Sequence, residues 1–128
     1  MAREIKWGMY SAAVVDGSGH HEIDLHPALS FTDRLCGLMG QREVPHGVGM
    51  LFPRCTSLHC LWMRVPIDVL WLAQPDDQGR CKVTGYIRSM RPWTIALSPR
   101  GTWGALEMAS ESFATAPCRV ELPPMRGL

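Results

Sequence analysis

Leu58-His59-Cys60-Leu61-Trp62-Met63-Arg64-Val65-Pro66-Ile67-Asp68-Val69-Leu70-Trp71-Leu72 is the stretch on which the fold turns. It holds two apolar runs of strand length, 58–63 and 67–72, rich in β-branched and aromatic residues. Pro66 separates them and marks a boundary or bulge. In the second run alternate side chains face opposite ways, so Asp68 shares a face with Leu70 and Leu72, and Ile67, Val69 and Trp71 take the other. Both faces are apolar, which predicts a strand covered on both sides.

Outward from this centre the pattern stays β-like. Strands are expected at Tyr10–Val15, Val48–Phe52, 81–88, Trp103–Met108 and Arg119–Leu122, with a turn over Asp16–His21. Pro75-Asp76-Asp77-Gln78-Gly79 is a turn that makes a hairpin of strands 67–73 and 81–88. Residues 89–102 contain two prolines and read as an irregular crossover, and Ser110–Phe113 as a short turn or helix. Ser30-Phe31-Thr32-Asp33 has the capping-box pattern, and Phe31, Leu35 and Leu38 recur at helical spacing up to Gly40. The expected class is α+β, mostly β. It is a small single domain with a barrel-like sheet of about seven short strands and one short helix at 31–39 that plugs an open end.

Length and composition agree. The chain has 128 residues, the size of one domain, and is 46% hydrophobic. A net charge of +1 provides no global field for nucleic acid or membrane. No apolar stretch approaches the roughly 18 residues of a membrane helix. Met1-Ala2-Arg3-Glu4-Ile5-Lys6-Trp7-Gly8 has mixed charge and no uninterrupted apolar run, so no signal peptide is expected. Five cysteines, an odd number, then point to reduced thiols and a cytoplasmic protein.

Three blocks, Thr32-Asp33-Arg34-Leu35-Cys36-Gly37-Leu38-Met39-Gly40, Gly47-Val48-Gly49-Met50-Leu51-Phe52 and the 58–72 stretch, resemble a bacterial and archaeal family known as domain of unknown function 192. Pro92-Trp93 with Ala96-Leu97, and Ala105-Leu106-Glu107, resemble its later blocks, so the resemblance spans about residues 28–122. Two places depart from the family pattern. Met108-Ala109-Ser110-Glu111 stands where a small residue and glycine are usual, and Ala116-Pro117-Cys118 where a Gly-Asp pair is common. The resemblance implies a compact β-rich fold and attaches no catalytic residue to it.

Chemistry-bearing residues are few. Asp68 reads either as a ligand-binding or general-base carboxylate, or as a structural acid accepting backbone N–H bonds near Pro66. His59 reads either as the partner of Asp68 across adjacent strands or as a core histidine. Glu107, the lone acid of an apolar strand, is a candidate ligand or a solvent-facing residue at a sheet edge. Arg80, Lys82, Arg88, Arg91 and Arg100 occur in a stretch without acids, interleaved with Trp93 and Trp103. They read as an anion or sugar site, or as a solvated face. Met39, Met50 and Met63 with His59 and Cys60 have soft-metal chemistry but suit core filling. Cys55, His59 and Cys60 lack further zinc ligands at standard spacing, and His20, His21 and His26 read as an exposed loop. No metal or cofactor is expected.

The function expected is a non-catalytic accessory domain that binds a small ligand or a protein partner. Its pocket is drawn from His59, Trp62, Met63, Asp68, Arg91, Trp93 and Glu107. The alternatives are a hydrolase using Asp68 or Glu107 with His59, and a structural interaction protein with a flat tryptophan patch. Ellman's reagent, applied to denatured protein without reductant, should titrate five thiols; one or three would reveal disulfides and overturn the cytoplasmic reading.

Overall fold

The computed structural model describes residues 5, 7–30, 33–34, 37–38, 40–59 and 63–125, with the backbone alone of His59. Nine strands run in chain order: β1 (Tyr10–Asp16), β2 (Gly19–Pro27), β3 (Val48–Phe52), β4 (Ser57–His59), β5 (Ile67–Leu72), β6 (Arg80–Met90), β7 (Ile95–Leu97), β8 (Gly104–Ala109) and β9 (Arg119–Glu121). Seven close into a barrel in the order β1-β2-β3-β8-β5-β6-β9, and β4 and β7 form a separate two-stranded sheet. No helix among the described residues is long and apolar enough to cross a membrane.

The strands expected at 10–15, 48–52, 67–72, 81–88, 103–108 and 119–122 are present; of the run 58–63, Leu58 and His59 lie in β4, Met63 is outside any strand, and 60–62 fall outside the described residues. The hairpin of β5 and β6 turns where the sequence places it, and β6 is longer than predicted. The turn read over Asp16–His21 is shorter, because β2 begins at Gly19 and pairs along the whole of β1. β7 lies inside the stretch read as irregular.

One barrel pairing is parallel, β2 with β3. Parallel neighbours cannot be joined by a tight turn, so the chain must make a long crossover. The chain between β2 and β3 makes it, and its described residues Ala28, Leu38 and Val44 pack on the outside of the sheet. The barrel interior is filled by a cluster drawn from all seven barrel strands, with Val14, Leu25, Leu51, Leu70, Leu106 and Val120 at its centre. A second cluster lies outside β3, β5 and β8: Met50, Phe52, Val69, Trp71, Ala105 and Ala109 pack under Ala28, Leu38 and Val44 of the crossover. Leu58 of β4 and Ala96 of β7 complete this outer layer. Hence β3, β5 and β8 are buried at every position.

The helix expected at 31–39 falls largely outside the described residues, which omit Phe31, Thr32, Leu35, Cys36 and Met39. Asp33 and Arg34 have helical backbone. The Ser30 hydroxyl accepts the Asp33 N–H at 3.1 Å, the N-cap bond expected of it. The architecture of the described residues is thus mostly β. Leu38, the described apolar residue of that segment, belongs to the outer cluster and not to the barrel cluster, so it does not plug the barrel. Phe113, in the β8–β9 connection, is buried in the barrel cluster instead.

Asp68 organises that end of the barrel. Ile67 pairs with Met90 but Val69 with Ile87, so Asp68 faces a bulge at Arg88 and Ser89. Its Oδ1 accepts the Ser89 and Glu111 N–H groups, each at 2.9 Å. Its Oδ2 accepts the Ser112 N–H at 3.0 Å and the Tyr86 hydroxyl at 2.7 Å. Burial, and then this bond, push the Tyr86 hydroxyl up to about 12, so it remains a donor. Ser89 and Glu111 have φ of 55° and 59°, a left-handed conformation disfavoured for residues with a Cβ. The fully buried carboxylate ties both down.

Asp68→Asn keeps the size of the side chain but points an amide N–H₂ at groups that donate. A loss of about 2–4 kcal/mol in a urea melt is expected, since buried N–H groups lose an acceptor. A loss below about 0.5 kcal/mol would mean that the network does not hold the bulge and the turn.

Candidate functional site

Asp16, Asp68 and Glu107 are the buried acids among the described residues. Asp16 accepts the Ser18 N–H and hydroxyl at 2.8 and 2.7 Å, and its Oδ1 lies 3.0 Å from the His21 ring, all within the β1–β2 hairpin. Asp68 is satisfied as described above. Glu107 differs: its carboxyl group has no hydrogen-bond or ionic partner among the described residues.

The register explains its burial. Glu107 lies opposite Met50 on β3 and Val69 on β5, and β8 is central between them. It is therefore a residue of the outer layer, and not at a solvent-facing edge. Ala105 and Ala109 flank it on the same face of β8. Their small side chains leave the carboxyl group room under the crossover. Gly37 closes over it: a Cβ placed there would stand 2.9 Å from Phe52 Cζ and 3.5 Å from Glu107 Oε1. With φ of 50°, Gly37 holds a backbone conformation that suits glycine and a contact that only a missing side chain permits.

Burial alone pushes Glu107 up to about 8, so it is largely protonated at neutral pH. Cys55 is nearby. Its thiol is raised mainly by burial, lowered by the Arg34 guanidinium and raised by Glu107. Arg34 itself donates to the Pro53 carbonyl at 2.7 Å and ties the crossover to the end of β3. His26 and Asp33, 3.0 Å apart, make a second tie.

A cleft of about 240 Å³ opens beside this layer, lined by Arg42, Glu43, Val44, His46, Pro66 and Ala109 among others. Ala109 lies on the same strand face as Glu107, about 7 Å further along. Two larger hollows, of about 410 and 350 Å³, surround the 74–80 turn; neither contains a residue of the predicted pocket, but Trp103 of the basic series lines the first, and Arg80 and Lys82 line the second.

The predicted pocket divides. Met63 is buried in the outer cluster that includes Met50, Val69 and Trp71, neighbours of Glu107. Asp68 points into the barrel, since it pairs with Met108 while Val69 pairs with Glu107. The two acids thus stand on opposite faces of one sheet. The backbone of His59 lies opposite Ile95 of β7, in the other sheet, so β4 is not the neighbour of β5. Arg91 and Trp93 are exposed on the turn before β7. Trp62 lies outside the described residues, with Cys60 and Leu61. Arg80 is paired with Asp76 at 3.0 Å, and Arg88 donates to the Phe113 carbonyl, so the basic series does not converge on one site.

Among the described residues no group of three His, Cys, Asp or Glu could hold a metal ion. Cys55, Cys81 and Cys118 are free thiols. Sequence reasoning missed Phe52, Cys55 and Gly37 as neighbours of Glu107. The alternation Ala105-Glu107-Ala109, small residues on either side of an acid, was the available signal.

None of the curated proteins matches the chain. Solved structures do. A protein from Sinorhizobium meliloti 1021, provisionally described as a transcription regulator, superposes with a TM-score of 0.76 at 21% identity, over 94% of this chain and 98% of that one. A protein of unknown function from Novosphingobium aromaticivorans DSM 12444 does so with a TM-score of 0.71 at 21% identity, over 87% and 83%. At that identity the likeness establishes the fold. The family match begins earlier than the resemblance at 28–122, and takes in the second half of β1 and all of β2. Residues 13–121 match the model of domain of unknown function 192, described as an uncharacterized ACR, and the chain belongs to that family.

Proposed function

We propose that this protein is a non-catalytic binding module whose small-ligand site centres on Glu107, with the cleft at Ala109 as its mouth. The observation that supports this reading is a buried carboxyl group without a partner among the described residues. Leaving such a group unsatisfied costs about 1–3 kcal/mol, and a ligand that supplies a donor recovers it. The surroundings favour a particular class. Phe52 and Trp71 offer aromatic rings and Met50 and Met63 offer sulfur, an apolar setting that accommodates an organic cation beside a carboxylate. The ligand is therefore a mostly apolar molecule with an amino group. When it binds, Glu107 gives up its proton, since a cation at contact distance favours the ionised form.

The hydrolase reading has less support. Both oxygens of Asp68 are engaged by four protein donors, and Glu107 stands on the other face of the sheet. Nucleic-acid recognition, which the name given to the Sinorhizobium protein suggests, is also less supported, because the charge is near zero and the basic residues are dispersed.

Phenethylamine, phenethyl alcohol and phenylacetate test the ligand class. The amine should bind, shifting NMR signals of Ala109 and Phe52, and Glu107→Gln should weaken it by about tenfold or more, which is at least the scale of one charge-assisted hydrogen bond. Equal binding of phenylacetate, or undiminished amine binding by the variant, would exclude the proposed site.

Stability should also depend on pH through this group. The folded protein holds the Glu107 proton up to about 8, against an ordinary 4.5, so it binds more protons than the unfolded chain within that window. Below the window both forms are protonated and nothing changes. Rising through it, the wild type should lose up to a few kcal/mol relative to Glu107→Gln, which has nothing to ionise. Parallel stability curves for the two proteins in urea melts would show that Glu107 ionises freely in the fold.

A further inference from the structure

The outer layer has a second side. β7 rests on the core through Ala96, which is partly buried against the outer cluster. The opposite face presents Ile95 and Leu97 to solvent, 68% and 78% exposed, and Trp93, two residues earlier, is 58% exposed. Such a row of large apolar side chains marks an interaction surface more often than chance exposure. Trp93 is also conformationally unusual. Its φ is 67°, which a bulky side chain rarely adopts, and the Thr94 hydroxyl braces the turn by donating to the Arg91 carbonyl at 2.6 Å. Among the described residues β7 pairs only with β4, so its other edge offers unpaired main-chain groups.

Charge identifies the occupant. Arg91 and Arg100 are exposed at the two ends of the row, and neither has an acidic partner among the described residues. From Gln78 to Leu106 the sequence has no Asp or Glu. If a second copy of this chain added its own β7 antiparallel, centred on Ile95, Arg91 of each copy would meet the Arg100 end of the other. Like charges so placed disfavour self-association. They favour a partner with the opposite sign.

We propose that β7 is a docking strand for an extended acidic segment of another protein. The segment adds to the free edge by main-chain hydrogen bonds and sets alternate apolar side chains beside Ile95 and Leu97. Carboxylates at its ends meet Arg91 and Arg100. The surface is separate from the Glu107 site, and neither reading requires the other.

The probe is a synthetic peptide of three valines alternating with threonines, with two glutamates at each end. Its control has lysines in place of the glutamates. With ¹⁵N-labelled protein, the glutamate peptide should shift the amide signals of residues 94–98 and slow exchange of their hydrogens, and the lysine peptide should not. Ile95→Ser should abolish the shifts. Arg91→Glu with Arg100→Glu, both exposed, should weaken the glutamate peptide about tenfold and reverse the preference, as expected where end charges select the partner. Three results would each overturn the proposal: no shift with either peptide, dimerisation of the protein through β7, or engagement of this face only by anionic phospholipid vesicles.

Discussion

Strands β5 and β8 are buried on both faces, and the rest of the molecule follows from that constraint. One face of each fills the barrel. The other needs a separate cover, which the crossover of residues 28–47 and the β4–β7 sheet provide. The parallel pairing of β2 with β3 makes that crossover obligatory. A barrel of this size could close with simple hairpins and leave its outer wall in water. Here one sector of the wall is a second core.

The constraint also decides the fate of the two acids in these strands. Neither can reach water, so each must find donors or remain protonated. Asp68, on the inner face, finds four donors, because the bulge in β6 and the turn after β8 both direct N–H groups at it. It thereby stabilises two residues in left-handed conformations. Glu107, on the outer face, finds none among the described residues, and burial keeps its proton on. One acid is thus absorbed by the fold and the other is left over. The leftover group is the ground for placing the proposed ligand site in the outer layer.

Much of this was legible in the sequence. The double-faced apolar pattern of Ile67–Leu72 identifies a strand covered on both sides and sorts its residues onto two faces, which the structure resolves as barrel interior for Leu70 and Leu72 and outer layer for Val69 and Trp71. β2 was not separated from the turn before it. Its inward residues, Ile23 and Leu25, alternate with charged and histidine positions, and two histidines in succession resemble a loop. β7 was hidden by Pro92 and Pro99, which flank a strand of only Ile95–Leu97. The donors of Asp68 come from residues 86, 89, 111 and 112, and no local pattern reveals such a convergence. The placement of His59 opposite Ile95 escaped for the same reason, since strand order is set by tertiary packing.

Glu107 is enclosed and has no partner among the described residues, and the proposed site depends on that. The most direct test is to follow the ¹³C signal of its side-chain carboxyl group across the pH range at which the protein stays folded, using Glu107→Gln to assign it. The midpoint should lie near 8, far above the ordinary 4.5. A midpoint near 4.5 would mean that water or a protein donor reaches the carboxylate, and the outer layer would then have no unsatisfied acid for a ligand to meet.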